Sequence, residues 1–250
     1  MAFNRRRTIR RRRARRPVFG KRATKAIVAI SQRPVETKKW PRSYAWGATI
    51  LLSGYTAGSS MAMRSNIFRE LPRADSTLTK TENEVIGNEL MARGFWIKVN
   101  LQGAVVPGGN HYGVQIRLTV YSIADRLPDA APLIEGVAAS DPIFDQDFGQ
   151  TQLTMRPFNM QNIRVLKSKR WDAQYQGNSD NFTSERKMWV PITGRKIASQ
   201  EEPTVGTSSV FGYLKGRNYY WLLEAYSPGV TTLNSTFTGD IETQVYFKDA

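Results

Sequence analysis

Arginine side chains clustered near the N-terminus are the residues of this sequence best suited to binding a charged partner. Residues 1–42 contain 16 Lys and Arg against one acid, Glu36, whereas residues 43–250 contain 20 basic and 20 acidic residues. A guanidinium group stays charged at physiological pH and matches two phosphate oxygens at once, which a lysine ammonium does not do. The cluster therefore predicts binding to nucleic acid through phosphate contacts that are strong at low salt and independent of base sequence.

The predicted nucleic-acid-binding arm spans residues 1–42, and its charge repulsion and low apolar content predict disorder. A tail that only aids solubility would not need so dense a run of one sign. The residues assigned to nucleic-acid binding are Arg5, Arg6, Arg7, Arg10, Arg11, Arg12, Arg13, Arg15, Arg16, Lys21, Arg22, Lys25, Lys38, Lys39, Trp40 and Arg42. Part of the same run, from Arg10 to Arg22, is also typical of a nuclear localisation signal.

Trp40 has two possible roles. Rings interleaved with cations are typical of proteins that stack on unpaired bases, and Trp40, Tyr44 and Trp46 alternate with such cations. The alternative, slightly favoured by the pattern, is that these rings begin the first strand and pack into the core.

Catalytic and metal-binding patterns are weak. The only histidine, His111, lies in a glycine-rich loop, and no Gly-x-Ser-x-Gly element supplies a nucleophile for it. The same loop lacks the Lys and Ser/Thr of a phosphate-binding P-loop. Asp141, Asp145 and Asp147 could offer oxygens to Ca²⁺, but their spacing does not fit an EF-hand and favours a solvated loop. The sequence therefore predicts a protein that is not an enzyme and has no cofactor and no metal.

Residues 43–250 are predicted to form one domain that is built from strands. Alternation of apolar and polar residues recurs along it, most clearly from Phe237 to Phe247. The predicted strands are 45–53, 95–105, 114–122, 160–171, 185–192, 217–226 and 237–247. Thr81–Met91 could begin a helix through a capping box, although Gly87 makes this ambiguous. Long connections at 124–160 and 193–216 complete the pattern of an all-β sandwich or jelly roll.

Other features of composition exclude several classes. The chain has no cysteine, so disulfides, thiolate metal sites and cysteine nucleophiles are excluded. No run of about 18 apolar residues is present, and the N-terminus lacks the apolar stretch of a secretory signal. We therefore expect neither membrane insertion nor export by that route.

Several segments, in their order along the chain, resemble viral coat proteins. They are the polyarginine terminus, Ile163-Arg-Val-Leu-Lys-Ser-Lys, Trp189-Val-Pro-Ile and the final Gln244-Val-Tyr-Phe-Lys-Asp-Ala. The layout is similar to capsid proteins of small circular Rep-encoding single-stranded DNA viruses, such as circovirus-like agents, and to satellite virus coat proteins. Residues 43–110 carry no motif that matches.

The resemblance implies an eight-stranded antiparallel jelly-roll sandwich with a disordered basic N-terminal arm. It implies that roughly 60 copies assemble into a small icosahedral shell, with the arm facing inward onto a single-stranded genome. DNA is favoured over RNA on the resemblance alone, since phosphate contacts do not distinguish the two sugars. Expected locations are the virion and, during infection, the host nucleus, with nuclear import receptors as possible partners.

Two alternatives remain open at this stage. A cellular nucleic-acid-binding protein, ribosomal or chromatin-like, could also carry a basic tail, although its body would usually be basic as well. A nucleic-acid enzyme with a basic tail is disfavoured by the missing catalytic constellations. A second basic cluster, Lys167, Lys169 and Arg170, could line an inner surface or simply form a solvated face.

Overall fold

The computed structural model describes residues 37–51, 62–74, 83–87, 89–105, 114–124, 127, 133–137, 140–145, 156–173, 181–198, 210–226 and 235–249. The chain divides into two units, Met1–Glu36 and Thr37–Ala250. The first unit lies outside the described residues. Within the described part of the second unit the regular structure is entirely β, with no helix.

Seven of the strands are long, and each overlaps one of the seven predicted strands, with bounds that differ by up to seven residues. Their observed bounds are β1 (Lys38–Leu51), β5 (Glu89–Val105), β6 (Val114–Ile123), β8 (Ile163–Ala173), β9 (Asn181–Val190), β12 (Asn218–Tyr226) and β13 (Ser235–Asp249). Six shorter strands were not predicted: β2 (Ala62–Asn66), β3 (Leu71–Ala74), β4 (Val85–Ile86), β7 (Leu133–Glu135), β10 (Gly194–Ile197) and β11 (Val210–Phe211). The segment that could have begun a helix instead holds β4 and the start of β5.

Two five-stranded sheets form the body of the domain. In the first sheet the order is β1-β13-β5, and the far edge of β5 pairs with β9 along most of its length and with β10 near Glu89. In the second sheet the order is β7-β2-β12-β6-β8. Every pairing in these two sheets is antiparallel, whereas β3 and β4 pair in parallel within a small third sheet with β11.

The main core lies between the two large sheets. The alternation predicted for β13 is confirmed, because Ile241, Val245 and Phe247 are at most 1% exposed while Glu242 on the opposite face is exposed. Side chains from both sheets share this core, including Phe95 and Val99 of the first and Leu118, Val120, Trp221 and Leu223 of the second. Burial of this apolar surface holds the sheets face to face.

The other face of the second sheet is also covered. Tyr220 and Leu222 pack there against Ile143 and Phe144 from a connecting segment. Two ion pairs that involve strands of the second sheet are largely buried. Arg117 donates from Nε and Nη2 to the two carboxylate oxygens of Glu224, at 2.5 and 2.7 Å, and Glu224 is completely buried. Arg64 forms an ion pair with Asp141 in the same layer.

Candidate nucleic-acid interface

Four residues assigned to the arm lie within the first sheet of the domain. Strand β1 begins at Lys38, five residues before the expected start of the domain at 43, and the second unit begins at Thr37. The other arm residues, Arg5 to Lys25, lie outside the described residues. The second unit therefore begins six residues before the domain start predicted at 43.

Lys38 and Arg42 are both held by partners within the domain. The Nζ atom of Lys38 lies 2.8 Å from Oδ2 of Asp249 and donates to the carbonyl oxygen of Glu84 at 2.7 Å. The Arg42 guanidinium donates to the carbonyl oxygen of Arg69 at 2.7 Å and forms an ion pair with Glu70. These contacts fasten β1 to neighbouring segments, so neither side chain is displayed as a free phosphate ligand.

The surroundings of Arg42 are largely desolvated. Its guanidinium carbon lies 4.5 Å from the centre of the Tyr44 ring and 5.4 Å from that of Trp40. Burial lowers the pKa of Arg42, partly offset by Tyr44 and Glu70, and burial raises the pKa of the Tyr44 hydroxyl, which bonds Ser65 Oγ at 2.8 Å. The raised pKa keeps Tyr44 a neutral phenol at neutral pH, beside the ion pair of Arg42 and Glu70.

Trp40 belongs to the main core. Its side chain is 8% exposed and packs in the cluster shared by the two large sheets. A buried indole cannot stack on a base arriving from solvent, so the structure favours the packing role and Trp40 is removed from the candidate interface. Of the four residues, only Lys39 is exposed, and its Nζ atom lies 6.0 Å from the centre of the Tyr246 ring.

Three aromatic residues occupy the solvent-facing side of the first sheet. They are Trp96 of β5, Trp189 of β9 and Tyr246 of β13, and we call them the aromatic patch. The Trp96 and Trp189 ring centres are 5.4 Å apart, and those of Trp189 and Tyr246 are 5.5 Å apart. All three side chains are partly exposed. The sheet therefore presents a continuous aromatic surface on the face opposite the core.

Gly94 creates the space that the Trp189 ring occupies. Residue 93 is an extra residue in β5, because Tyr246 pairs with Gly94 and Phe247 pairs with Ala92. At this bulge Gly94 has φ +151°, and a Cβ atom there would lie 2.5 Å from the Trp189 ring and 2.7 Å from the carbonyl oxygen of Val190. A residue with a side chain cannot take this position without moving β9.

Replacing Gly94 by Ala is therefore expected to destabilise the domain by about 2–4 kcal/mol and to displace Trp189. Chemical denaturation followed by tryptophan fluorescence measures both effects. Gly87→Ala is the matched control: Gly87 also has positive φ, +82°, but a Cβ there meets nothing within 4 Å. We expect Gly87→Ala to cost only about 1 kcal/mol. Equal costs for the two variants would contradict the role assigned to the Trp189 contact.

Cations line the neighbouring edges of the two large sheets. Strands β8 and β9 come together there, since Trp171 Nε1 donates to Ser184 Oγ at 3.1 Å and Lys167 Nζ donates to the carbonyl oxygen of Trp189 at 2.9 Å. The exposed cations of these strands, which we call the cationic edge, are Arg164, Lys167, Lys169, Arg170, Arg186 and Lys187. Their exposed acids are Asp172 and Glu185. The second basic cluster predicted from sequence is thus part of a larger solvated surface.

Lys187 joins the cationic edge to the aromatic patch. Its ammonium lies 4.6 Å from the centre of the Trp96 ring, where a cation is attracted by the ring electrons. A groove of about 480 Å³ runs beside the same two residues over β1 and β13, lined also by Pro41, Lys98 and Gln244. Lys98 is partly neutralised by Glu185 at 3.7 Å and Glu242 at 4.0 Å.

The sequence did not single out the aromatic patch. Each ring was assigned only to a strand, and what brings the three together is the register of β13 and β9 on β5. A usable signal was present, since Trp96, Trp189 and Tyr246 each fall on the polar side of an alternating strand. Large rings on that side of three different strands indicate a surface with a purpose other than packing.

The weaker catalytic and metal candidates receive no support from the described residues. His111 and Asp147 lie outside them. Asp141 faces Arg64 and accepts a hydrogen bond from the Ile143 amide at 3.2 Å. Among the described residues no group of three potential ligands could hold a metal ion, and no helix there could span a membrane.

Two solved virus structures are similar to this chain. A chain of the cryo-EM structure of Mud crab tombus-like virus matches at 13% identity and TM-score 0.36, with 86% of this chain and 82% of that chain covered. A chain of deformed wing virus, a honeybee pathogen, matches at 12% identity and TM-score 0.23. The match covers 84% of this chain and 46% of that chain. No protein-family model and no curated protein matches. TM-scores of this size do not establish a shared fold. Function is therefore argued from the residues and the strand order of this chain.

Proposed function

We propose that this chain is a viral capsid protein that assembles into a small icosahedral shell and packages a single-stranded genome through its arginine-rich arm. The observation that carries the proposal is the strand order. Counting only β1, β2, β5, β6, β8, β9, β12 and β13 as strands one to eight, the first sheet has the order 1-8-3-6 and the second 2-7-4-5. This order supports an eight-stranded jelly roll, an architecture used by viral capsid and lectin domains.

The distribution of charge supports assembly rather than a single-copy binding protein. The arm is strongly basic, whereas residues 43–250 carry equal numbers of basic and acidic residues. A neutral domain can pack against copies of itself without net repulsion, and a closed shell then brings many arms onto one nucleic acid. Linking many weak phosphate-binding segments raises the overall affinity far above that of one arm.

Four more specific parts of the proposal rest on the resemblance of the sequence motifs to viral coat proteins. They are a shell of roughly 60 copies, a DNA genome, an inward-facing arm and passage through the host nucleus. The alternative of a cellular nucleic-acid-binding protein with a basic tail is disfavoured because the folded domain of such a protein is usually basic overall, and this domain carries equal numbers of basic and acidic residues.

Electron microscopy of the purified full-length chain tests the proposal. We expect uniform spherical particles. After nuclease treatment, their ultraviolet absorbance should still show nucleic acid inside them. A chain that stays monomeric at every salt concentration, with or without added single-stranded nucleic acid, would overturn the capsid assignment. Uniform particles without nucleic acid would support the proposed assembly and contradict the proposed packaging.

A further inference from the structure

We propose that the aromatic patch and the cationic edge together form a second single-stranded nucleic-acid site on the folded domain, distinct from the arm. The proposal rests on the packaging function above and adds where unpaired bases are held. Its two components meet at β9, which contributes Lys187 and Trp189 to one face and Arg186 to the edge.

The aromatic patch has the chemistry of a base-stacking surface. Trp96, Trp189 and Tyr246 stand on the face of the first sheet opposite the core, partly exposed, with ring centres 5.4–5.5 Å apart. Aromatic rings in such a position accept any base, because every base has a flat face on which to stack. The glycine at position 94 keeps this surface open by leaving room for the Trp189 ring.

The cationic edge supplies the phosphate contacts. Its six exposed cations outnumber the two exposed acids of the same strands, so the edge carries a net positive charge although the domain as a whole does not. Proteins that bind single strands commonly combine such a charged track for the backbone with adjacent rings for the bases. The groove of about 480 Å³ over β1 and β13 borders this surface at Trp96 and Lys187, and its lining includes both Lys98 and Glu242.

A second copy of this chain is the competing occupant, and charge argues against a two-fold contact through this edge. A two-fold symmetric contact would place the cationic edge of one copy against the same edge of the other, which opposes association. Nucleic acid, by contrast, complements both the cations and the exposed rings.

Binding of the full-length chain to two oligomers separates this site from the arm. One oligomer is single-stranded oligothymidylate, and the other is an abasic deoxyribose-phosphate chain of the same length. We expect the arginines of the arm to contact phosphates, so that the arm binds both oligomers equally, whereas the aromatic patch should favour the oligomer with bases. We expect Trp189→Leu combined with Tyr246→Leu to remove that preference, weakening oligothymidylate binding about 10-fold or more while leaving abasic binding unchanged. Thermal unfolding identifies any variant that is not folded.

A charge-reversal variant tests the edge independently of the rings. Lys169→Glu, Arg170→Glu and Arg186→Glu should reduce the slope of log affinity against log salt concentration by roughly 2, about 0.7 for each lost phosphate contact. The matched control is Arg195→Glu, Lys215→Glu and Arg217→Glu, which reverses three exposed cations outside β8, β9 and the aromatic patch. We expect the control to have the wild-type slope.

Several outcomes would overturn the proposal. These are a wild-type chain with no preference for bases, an edge variant with the same slope as its control, or variants that lose shells while binding both oligomers normally. The last result would identify the surface as a contact between subunits. Failure of the packaging function itself looks different, because wild-type shells would then contain no nucleic acid.

Discussion

Replacing Glu224 by alanine is expected to destabilise the folded domain by about 3–5 kcal/mol. Glu224 is completely buried and accepts two hydrogen bonds from Arg117, which is itself only 6% exposed. Removing the carboxylate leaves a buried guanidinium that still donates to the carbonyl oxygen of Arg156 at 2.7 Å and lies 4.2 Å from the centre of the Phe158 ring, but without the anion that neutralised it. An uncompensated buried charge is far more costly than the loss of a surface pair. Urea denaturation of the variant and the wild type measures the difference.

Two controls separate the buried charge from the loss of side-chain volume. The double variant Arg117→Met, Glu224→Leu removes both charges and should recover most of the lost stability, since apolar replacement of a buried pair is often neutral. Glu89→Ala breaks the partly exposed pair with Arg195 and should cost less than about 1 kcal/mol. If Glu224→Ala costs no more than Glu89→Ala, the buried pair does not have the structural role assigned here.

Deleting residues 2–36 is expected to reduce the nucleic acid in purified particles by about tenfold or more, while shells still form. The deleted segment holds 13 Lys and Arg against one acid, Glu36, so most of the net charge of the chain is lost. Assembly should survive because the unit that begins at Thr37 contains β1 and both core clusters of the described residues. The ratio of absorbance at 260 and 280 nm, with microscopy of the same particles, measures both effects.

Substitutions within the arm refine this experiment. Changing the nine arginines from Arg5 to Arg16 to lysine keeps the charge and should retain most of the packaged nucleic acid, whereas changing them to glutamine should resemble the deletion. A deletion variant that packages as much as the full chain would show that the arm is not the principal genome-binding element.

Much of the fold could be predicted from alternation, and the reason for the exceptions is physical. Strands such as β5 and β13 expose one face and bury the other over many residues, so their period of two is visible in sequence. Strands β2, β3, β4, β7, β10 and β11 have five residues or fewer, too few for alternation to stand out. Arg117 and Glu224 were unpredictable for a different reason: their face of the second sheet is covered by a connecting segment, which strand periodicity does not reveal.

The candidate site was predicted only in part. The cations at Lys167, Lys169 and Arg170 were visible as a run, but their juxtaposition with Arg186 and Lys187 depends on two sheet edges meeting. Trp40 shows the opposite case, in which the neighbouring charges suggested a surface role and pairing opposite Val245 places the ring in the core. Local sequence reports which residues share a strand, whereas register and sheet packing decide which of them share a surface.

The pairing of β1 with β13 has a consequence for how the protein folds. Strand β13 lies between β1 and β5, so the first sheet lacks its central strand until residues 235–249 have been synthesised. Nearly the whole chain must close into a loop before these contacts form, which predicts folding over milliseconds to seconds rather than microseconds. During that interval the edges of β1 and β5 that later pair with β13 have no partner strand. We therefore expect the yield of soluble protein to depend on temperature and rate of expression more strongly than the stability of the finished domain would suggest.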